Sequence, residues 1–236
     1  MRTDSKEVRM NPLHSLKGAI ETPRSKPLLG TTILLVEDSR FVCDAMRLVS
    51  VHSGARLRHA DTIASATRHL RIYRPNVVII DEGLMDGSGS DFLRELHAMQ
   101  PRIDALFGTS GDMLMHHTFL GAGADGFFEK PMVNISEFQQ KILSVLPQYS
   151  ETGFRPVVLS DENVEPNPKN YVEDLKHAYA LLSDEPNMRM KGYVSQFLES
   201  VCKSAGDRAL MTSLERDEQG ELMELLDKRI SAPLAY

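Results

Sequence analysis

The chain has 236 residues, 42% of them apolar, and a net charge of −6. That length is enough for one ordinary domain and a smaller second region. Two distant cysteines, Cys43 and Cys202, exclude a disulfide framework and fit a reducing cytoplasm. The sequence shows neither a signal peptide nor an apolar run of the ~18 residues that a membrane span needs, so we expect a cytoplasmic protein with no membrane partner. Residues 157–236 hold nine Lys/Arg against fifteen Asp/Glu, which argues against nucleic acid as a partner.

Short apolar runs predict five β-strands in the first two thirds of the chain. The run Val77–Ile80 is wholly β-branched and ends at Asp81, which is typical of a strand buried on both faces. Three glycines, at positions 83, 87 and 89, follow it in a loop. The predicted strands are residues 31–36, 56–60, 77–80, 103–108 and 126–129.

A helical spacing of apolar residues follows each predicted strand. Ser39 is the predicted N-cap of the first helix and Ser136 that of the last. The predicted helices are residues 40–53, 62–73, 91–100, 113–121 and 137–146. Such alternation implies a parallel sheet with helices on both faces. The fold class is therefore α/β, a doubly wound five-stranded parallel sheet of the flavodoxin-like type.

Polar residues follow four of these strands. Glu37 and Asp38 follow the first, Asp81 the third, Thr109 the fourth and Lys130 the fifth. All of these strand ends lie on one edge of a parallel sheet, where open α/β sheets bind ligands. Three carboxylates that meet there repel one another unless a cation neutralises them, and oxygen ligands favour Mg²⁺.

A metal, a lysine and a hydroxyl around one acid suit phosphoryl transfer. We predict that Asp81 is the nucleophile and becomes an acyl phosphate. Glu37 and Asp38 would hold Mg²⁺ together with Asp81. Lys130 would pair with one phosphoryl oxygen and Thr109 would hydrogen-bond another.

The order of these motifs resembles the receiver domain of two-component response regulators, over residues 31–147. The motifs that carry the resemblance are Glu37-Asp38-Ser39, the run into Asp81, Asp86-Gly-Ser-Gly89, Thr109-Ser110, residues 121–127 and Glu129-Lys130-Pro131. The resemblance implies phosphorylation of Asp81 by a sensor histidine kinase or a histidine phosphotransfer protein. It also implies a cis peptide bond before Pro131. It identifies Phe127 as the switch aromatic that turns inward when Thr109 moves toward the phosphoryl group. We add the backbone carbonyl of Gly83 to the predicted metal ligands.

The sequence departs from the receiver pattern at several positions that are not catalytic. Met85 replaces a common proline, Asn76 replaces a common aspartate and Gly108 interrupts the fourth strand. Gly83 and Gly111 stand two residues beyond Asp81 and Thr109, where receivers influence hydrolysis of the acyl phosphate. Because neither residue has a side chain to shield the phosphoryl group from water, we predict a short-lived phosphoryl group.

The chain divides into four predicted parts. These are a flexible arm of residues 1–30, a receiver domain of residues 31–148, a linker of residues 149–169 and a helical output or interaction region of residues 170–236. His14 in the arm stands in a string that resembles a phosphotransfer histidine motif, but the arm is too short for the helical bundle on which such a histidine is displayed.

Three amphipathic helices are predicted in residues 170–236. Asn170 is the predicted N-cap of the first, the second runs from Pro186 to Lys203, and the third runs from Asp207 to Ile230 with a break near Gly220. The apolar stripe of the second helix consists of Met190, Tyr193, Val194, Phe197 and Val201. Such a stripe forms either the core of this region or a face for a protein partner or a second copy.

The predicted function is that of a response regulator that switches protein–protein contact or self-association. It would not be an enzyme beyond hydrolysis of its own acyl phosphate. Two alternatives stay open at this point. One is a DNA-binding transcriptional regulator, and the other is a pseudo-receiver that is never phosphorylated.

Overall fold

The computed structural model describes residues 26–146, 162–184, 186–216 and 219–232. Most of the predicted arm, including His14, and residues 149–161 of the predicted linker lie outside these ranges. A five-stranded sheet has the order β2-β1-β3-β6-β7, and every pair is parallel. The predicted α/β fold class is confirmed. The strands are β1 (Thr32–Val36), β2 (Arg56–Ala60), β3 (Val77–Asp81), β6 (Ala105–Ser110) and β7 (Gly126–Glu129), with a two-stranded hairpin of β4 (Gly83–Leu84) and β5 (Gly87–Ser88) after β3.

Five helices cover the sheet on its two faces. Helices α1 and α5 pack on one face around Ile33, Leu35 and Ile79. Helices α2, α3 and α4 pack on the other face around Leu34 and Ile80. The helices are α1 (Arg40–Ser53), α2 (Ile63–Ile72), α3 (Gly89–Ala98), α4 (Met115–Gly121) and α5 (Ile135–Val145). Every residue of β3 and β6 is buried, because a parallel sheet with two covered faces leaves no strand face in water.

The helix ends show which residues satisfy the first backbone N–H groups. Ser39 caps α1 as predicted, since its hydroxyl accepts from the backbone N–H of Val42. Asn134, not the predicted Ser136, caps α5 by accepting from Glu137 N at 2.8 Å. The peptide bond before Pro131 is cis, as the family resemblance implied, and the bond before Pro101 is also cis.

Among the described residues, four helices follow in the C-terminal region. They are α6 (Pro168–Ser183), α7 (Met188–Ala205), α8 (Arg208–Arg216) and α9 (Gln219–Ser231). Helix α6 begins earlier than predicted, because Asn167 and not Asn170 is its N-cap. The predicted third helix is divided into α8 and α9. Among the described residues, no helix is both long and apolar enough to cross a membrane.

The apolar stripes of these four helices pack against one another. Leu175, Val194, Phe197, Leu210 and Leu226 are all buried in this third cluster. The helical region, α6–α9, therefore has a core of its own. It also contacts the sheet domain, because α6 and α7 pack on α1 and α7 packs on β4.

Candidate functional site

Three carboxylates meet at the carboxyl edge of the sheet. Glu37 and Asp38 follow β1, and Asp81 ends the neighbouring strand β3. One oxygen from each of the three lies within 4.8 Å of the others. The structure therefore brings together the three side chains that the sequence predicted as metal ligands.

A buried lysine crosses into this cluster from β7. The Nζ atom of Lys130 lies 2.6 Å from Glu37 Oε2 and 2.8 Å from Asp81 Oδ1. The side chain of Lys130 is fully buried. Because one ammonium group faces three carboxylates, the cluster carries excess negative charge when all the acids are ionised.

The pKa values of these groups reflect their burial and the charges around them. Burial, together with the charges of Asp81 and Asp38, raises the pKa of Glu37 to about 8 against the opposing effect of Lys130. Burial and the charge of Asp81 raise the pKa of Asp38 to about 7. Burial alone would lower the pKa of Lys130, but Asp81 and Glu37 raise it above its usual value, so Lys130 is charged.

Thr109 and Gly83 flank Asp81 from two sides. Thr109 is the register partner of Asp81 in the neighbouring strand β6. Its hydroxyl is buried and has a long contact of 3.9 Å with Met132 Sδ. The backbone N–H of Gly83 donates to Asp81 Oδ2 at 3.1 Å. The two oxygens of Asp81 thus have different neighbours, since Oδ1 faces Lys130 and Oδ2 faces Gly83.

Phe127 lies apart from the acidic cluster, on the side of α4. Its side chain is 7% exposed. Its ring centroid lies 5.9 Å from that of Phe119 and 5.4 Å from that of His116. It also borders a surface cavity of about 380 Å³ between α4 and α5. The predicted switching role of Phe127 stays a prediction.

Helix α7 adds residues to the site that sequence analysis did not find. The hydroxyl of Tyr193 donates to Asp38 Oδ2 at 2.8 Å. Lys130 Nζ donates to Ser200 Oγ at 2.7 Å. Between them, Gln196 lies against Gly83. These positions follow the spacing i, i+3, i+7, which places them on one face of a helix. Tyr193 was predicted in the apolar stripe, and that assignment missed its contact with the site.

Helix α6 makes a second polar contact with the sheet domain, beside the site. One oxygen of Asp174 accepts from Arg40 N at 2.9 Å, and the other accepts from Ser39 Oγ at 2.8 Å and Phe41 N at 3.0 Å. Asp174 thereby satisfies N–H groups at the start of α1, where a negative charge is stabilised. No local sequence signal indicates this contact, because its partners are more than 130 positions apart.

The donor set fits Mg²⁺. All three candidate side-chain ligands are carboxylates, which are the ligands that this hard cation prefers. The raised pKa values of Glu37 and Asp38 come from burial with neighbouring acids, and a divalent cation would relieve that repulsion. The residues present therefore suit the cofactor that the sequence predicted.

Comparison with known proteins gives matches over the segment that forms the five-stranded sheet. A sequence model described as the response regulator receiver domain matches residues 33–143. The KDP operon transcriptional regulatory protein KdpE of Escherichia coli (strain K12) is 28% identical over 122 residues, which are 52% of this chain and 54% of that protein. The transcriptional regulatory protein KdpE of Mycobacterium tuberculosis (strain CDC 1551 / Oshkosh) is 28% identical over 133 residues, 56% of this chain and 58% of that protein.

A CheY-like receiver domain protein from Methanospirillum hungatei JF-1 has a solved structure with a TM-score of 0.45 and 23% identity, covering 51% of this chain and 97% of that one. The chain spans about half the length of the curated relatives that it matches. Their names give no support to the expectation that nucleic acid is not a partner, and that expectation stays a prediction. Residues 33–143 of this chain form a response regulator receiver domain, which a helical C-terminal region follows.

Proposed function

We propose that this protein is a phosphorelay response regulator that accepts a phosphoryl group on Asp81. The donor would be the phosphohistidine of a sensor histidine kinase or of a histidine phosphotransfer protein. The observation that carries the proposal is the buried Lys130, whose ammonium group bridges Glu37 and Asp81 while Asp38 completes the acidic cluster. Glu37, Asp38, Asp81 and the carbonyl oxygen of Gly83 would hold Mg²⁺.

The chemistry is an in-line transfer between two side chains. A carboxylate oxygen of Asp81 attacks phosphorus, and the phosphorus–nitrogen bond of the donor breaks with its electron pair left on the histidine. Lys130 is held in place by Glu37 and donates a hydrogen bond to a phosphoryl oxygen, and the hydroxyl of Thr109 donates to another. Mg²⁺, when bound, supplies neutralisation of the charge that develops on the phosphoryl oxygens.

Phosphorylation is expected to change either the contact of the helical region with another protein or the self-association of this chain. No catalytic activity is proposed beyond hydrolysis of the acyl phosphate. A transcriptional regulator is the second candidate, because relatives that match over the receiver segment are named transcriptional regulatory proteins. The acidic balance of residues 157–236 favours the first candidate. Retention on DNA that falls steeply with salt would favour the second.

The proposal is tested by intact-mass measurement after incubation with acetyl phosphate and Mg²⁺. We expect one added phosphoryl group on the wild-type chain and none on Asp81→Asn. Asp91→Asn is the matched control, because Asp91 is an exposed carboxylate paired with Arg94 at the surface. It should be modified as the wild type is. Equal modification of Asp81→Asn and the wild type would refute the assignment of the acceptor. Wild-type chain that stays unmodified and fails to bind beryllofluoride would indicate a pseudo-receiver.

A further inference from the structure

We propose that helices α6 and α7 are an intramolecular ligand of the phosphoacceptor site. Tyr193 and Ser200 engage the atoms of Asp38 and Lys130 that the cation and the phosphoryl group require. Docking of the helical region and occupation of the site therefore exclude each other, and phosphorylation releases α7. This inference rests on the proposed function, because it concerns the same site and names how access to it is controlled.

Helix α7 engages Asp38 at one of its carboxylate oxygens. Its Oδ2 atom accepts the hydroxyl hydrogen of Tyr193 at 2.8 Å, across 155 positions of sequence. A metal ion bound to that oxygen would compete with the hydroxyl hydrogen for the same side of the carboxylate. Tyr193 is partly buried, so it has little space to move aside while α7 stays docked. Cation binding should therefore weaken the contact between α7 and the acidic cluster.

Helix α7 also engages the ammonium group of Lys130. An ammonium group has three donors. Here the Nζ atom contacts Glu37 Oε2, Asp81 Oδ1 and Ser200 Oγ, at 2.6, 2.8 and 2.7 Å. Every donor is thus used. A phosphoryl oxygen on Asp81 can be bound by Lys130 only if one of these contacts is given up. Ser200 is the one neutral acceptor of the three. Its hydrogen bond is therefore the weakest of the three and the easiest to give up.

Helix α7 also restricts access to Asp81 sterically. A Cβ atom built on Gly83 would lie 3.2 Å from the side chain of Gln196, and one built on Gly111 would lie 3.5 Å from Cα of Ser200. Helix α7 therefore spans the two loops that flank Asp81. Asp81 is 4% exposed. A donor histidine needs direct contact with this carboxylate, and α7 occupies the approach.

The side chains of Asp174 and Lys203 also hold α6 and α7 in place outside the acidic cluster. Asp174 accepts hydrogen bonds from the first residues of α1, as described above. Lys203 donates to the carbonyl oxygen of Gly111 and lies 2.9 Å from Glu129 Oε1. Because α7 directs its apolar residues Val194, Phe197 and Val201 into the core of the helical region, that core does not depend on the contacts with the site. The region can leave the site as a unit.

Release then follows from linkage. A ligand that binds only the undocked form has its apparent affinity reduced by the fraction of molecules that are undocked. By reciprocity, the same ligand lowers the occupancy of the docked form. Weakening the contact between α7 and the acidic cluster should thus tighten Mg²⁺ binding. Binding of Mg²⁺ or a phosphoryl group at the site should in turn weaken the contact with α7.

The first test is a Mg²⁺ titration of the full chain by calorimetry. Tyr193→Phe removes one hydroxyl and Asp174→Ala removes a contact outside the site. Tyr193→Phe should bind Mg²⁺ about tenfold more tightly than the wild type, as expected for the loss of one hydrogen bond to a charged group. Asp174→Ala, which loses three such hydrogen bonds, should bind it at least as tightly as Tyr193→Phe. Tyr179→Phe is the matched control. The hydroxyl of Tyr179 has no hydrogen-bond partner among the described residues, and its loss should leave the affinity unchanged. Equal affinities in the wild type and both dock variants, including no binding by any of them, would overturn the inference.

The second test is carbodiimide cross-linking of the wild-type chain with and without Mg²⁺ and beryllofluoride, read by peptide mass spectrometry. The cross-link between Lys203 and Glu129, which lie 2.9 Å apart in the docked form, should fall at least tenfold in yield when beryllofluoride is bound. An unchanged yield of this cross-link with beryllofluoride bound would overturn the inference. If neither the wild type nor a dock variant binds beryllofluoride, the proposed function fails, and the Mg²⁺ titration alone decides the inference.

Discussion

The hydroxyl of Tyr193 in the helical region donates to Asp38 in the receiver domain, with 2.8 Å between the two oxygens. The contact joins one of the three carboxylates of the acidic cluster to a helix that lies outside the receiver segment. Burial raises the pKa of Tyr193, and the negative charge of Asp38 raises it further, so the phenol is the proton donor. Residues of both the receiver domain and the helical region therefore contact the acidic cluster.

Among the charged residues of the receiver domain, we expect Lys130 to contribute most to the free energy of unfolding. Lys130→Met removes the cation that contacts Glu37 and Asp81 and leaves buried carboxylates facing one another. We expect the free energy of unfolding to fall by about 3–5 kcal/mol at pH 7, as for other broken buried ion pairs. Urea unfolding measures this. The double variant Lys130→Met with Glu37→Gln should be more stable than Lys130→Met alone. A single variant within ~1 kcal/mol of the wild type would contradict the account.

Gly108 should be intolerant of any side chain. A Cβ atom there would lie 2.1 Å from the ring of Phe119, which is fully buried against β6. We expect Gly108→Ala to lower the free energy of unfolding by about 1–3 kcal/mol through overpacking. Gly121→Ala is the matched control, because nothing apart from its chain neighbours and the backbone of its own helix lies within 4 Å of its Cβ position, and it should be neutral or slightly stabilising. Thermal unfolding of the two variants side by side checks the contrast, and similar losses in both would refute it.

Asn76 is held by one acceptor and one donor contact. Its Oδ1 accepts from Thr32 N at 2.9 Å, and its Nδ2 donates to Asp104 Oδ2 at 3.2 Å. Asn76→Asp would replace the donor with a second carboxylate beside Asp104. We expect a loss of about 1–2 kcal/mol at neutral pH from the unpaired acceptor and the repulsion. The added change Asp104→Asn should recover most of it in a double-mutant cycle. Additive losses would contradict this explanation.

Asp207 should stabilise the helical region in a pH-dependent way. Burial alone would raise the pKa of Asp207, but hydrogen bonds from Arg229, the backbone N–H of Leu210 and the Tyr171 hydroxyl lower it. An acid whose pKa is lowered on folding stabilises the folded state above its unfolded pKa of about 4, and this stabilisation is lost as pH falls through the folded pKa.

The comparison that reveals this effect is wild type against Asp207→Asn by urea unfolding from pH 7 to pH 3. The difference in unfolding free energy should be about 1 kcal/mol at pH 7 and should shrink below pH ~4. Asp227→Asn is the control, because Asp227 is exposed, and its difference from the wild type should stay small throughout. A difference for Asp207→Asn that does not change with pH would show that its charge is unimportant.

The sheet and its acidic edge could be predicted because their signals are local. Val77–Ile80 form an unbroken β-branched run that ends in an acid, and residues at the carboxyl ends of parallel strands must share an edge. The need for glycine at position 108 could not be predicted in this way. The sequence indicated only that Gly108 interrupts a strand. Glycine is required there because the ring of Phe119, eleven positions away in the chain, packs against its backbone.

The docking of α7 could not be predicted, for the same physical reason. The side chain of Tyr193 has an apolar and a polar role. Its ring packs beside Phe197 in the apolar stripe, and its hydroxyl donates to Asp38. Periodicity identifies the face of a helix but not the surface that the face meets. Capping residues were missed in the same way at Asn134 and Asn167, where several neighbouring polar residues offered equivalent local signals.

The most direct measurement is the location of the phosphoryl group. Borohydride reduces an acyl phosphate to an alcohol, so a phosphorylated aspartate is converted to homoserine and can be identified by peptide mass spectrometry. After treatment with acetyl phosphate and Mg²⁺, the account predicts homoserine at position 81 and at no other aspartate. Homoserine at a different position, or trapping that is unchanged when Mg²⁺ is chelated, would contradict the assignment of Asp81 as a metal-assisted phosphoacceptor.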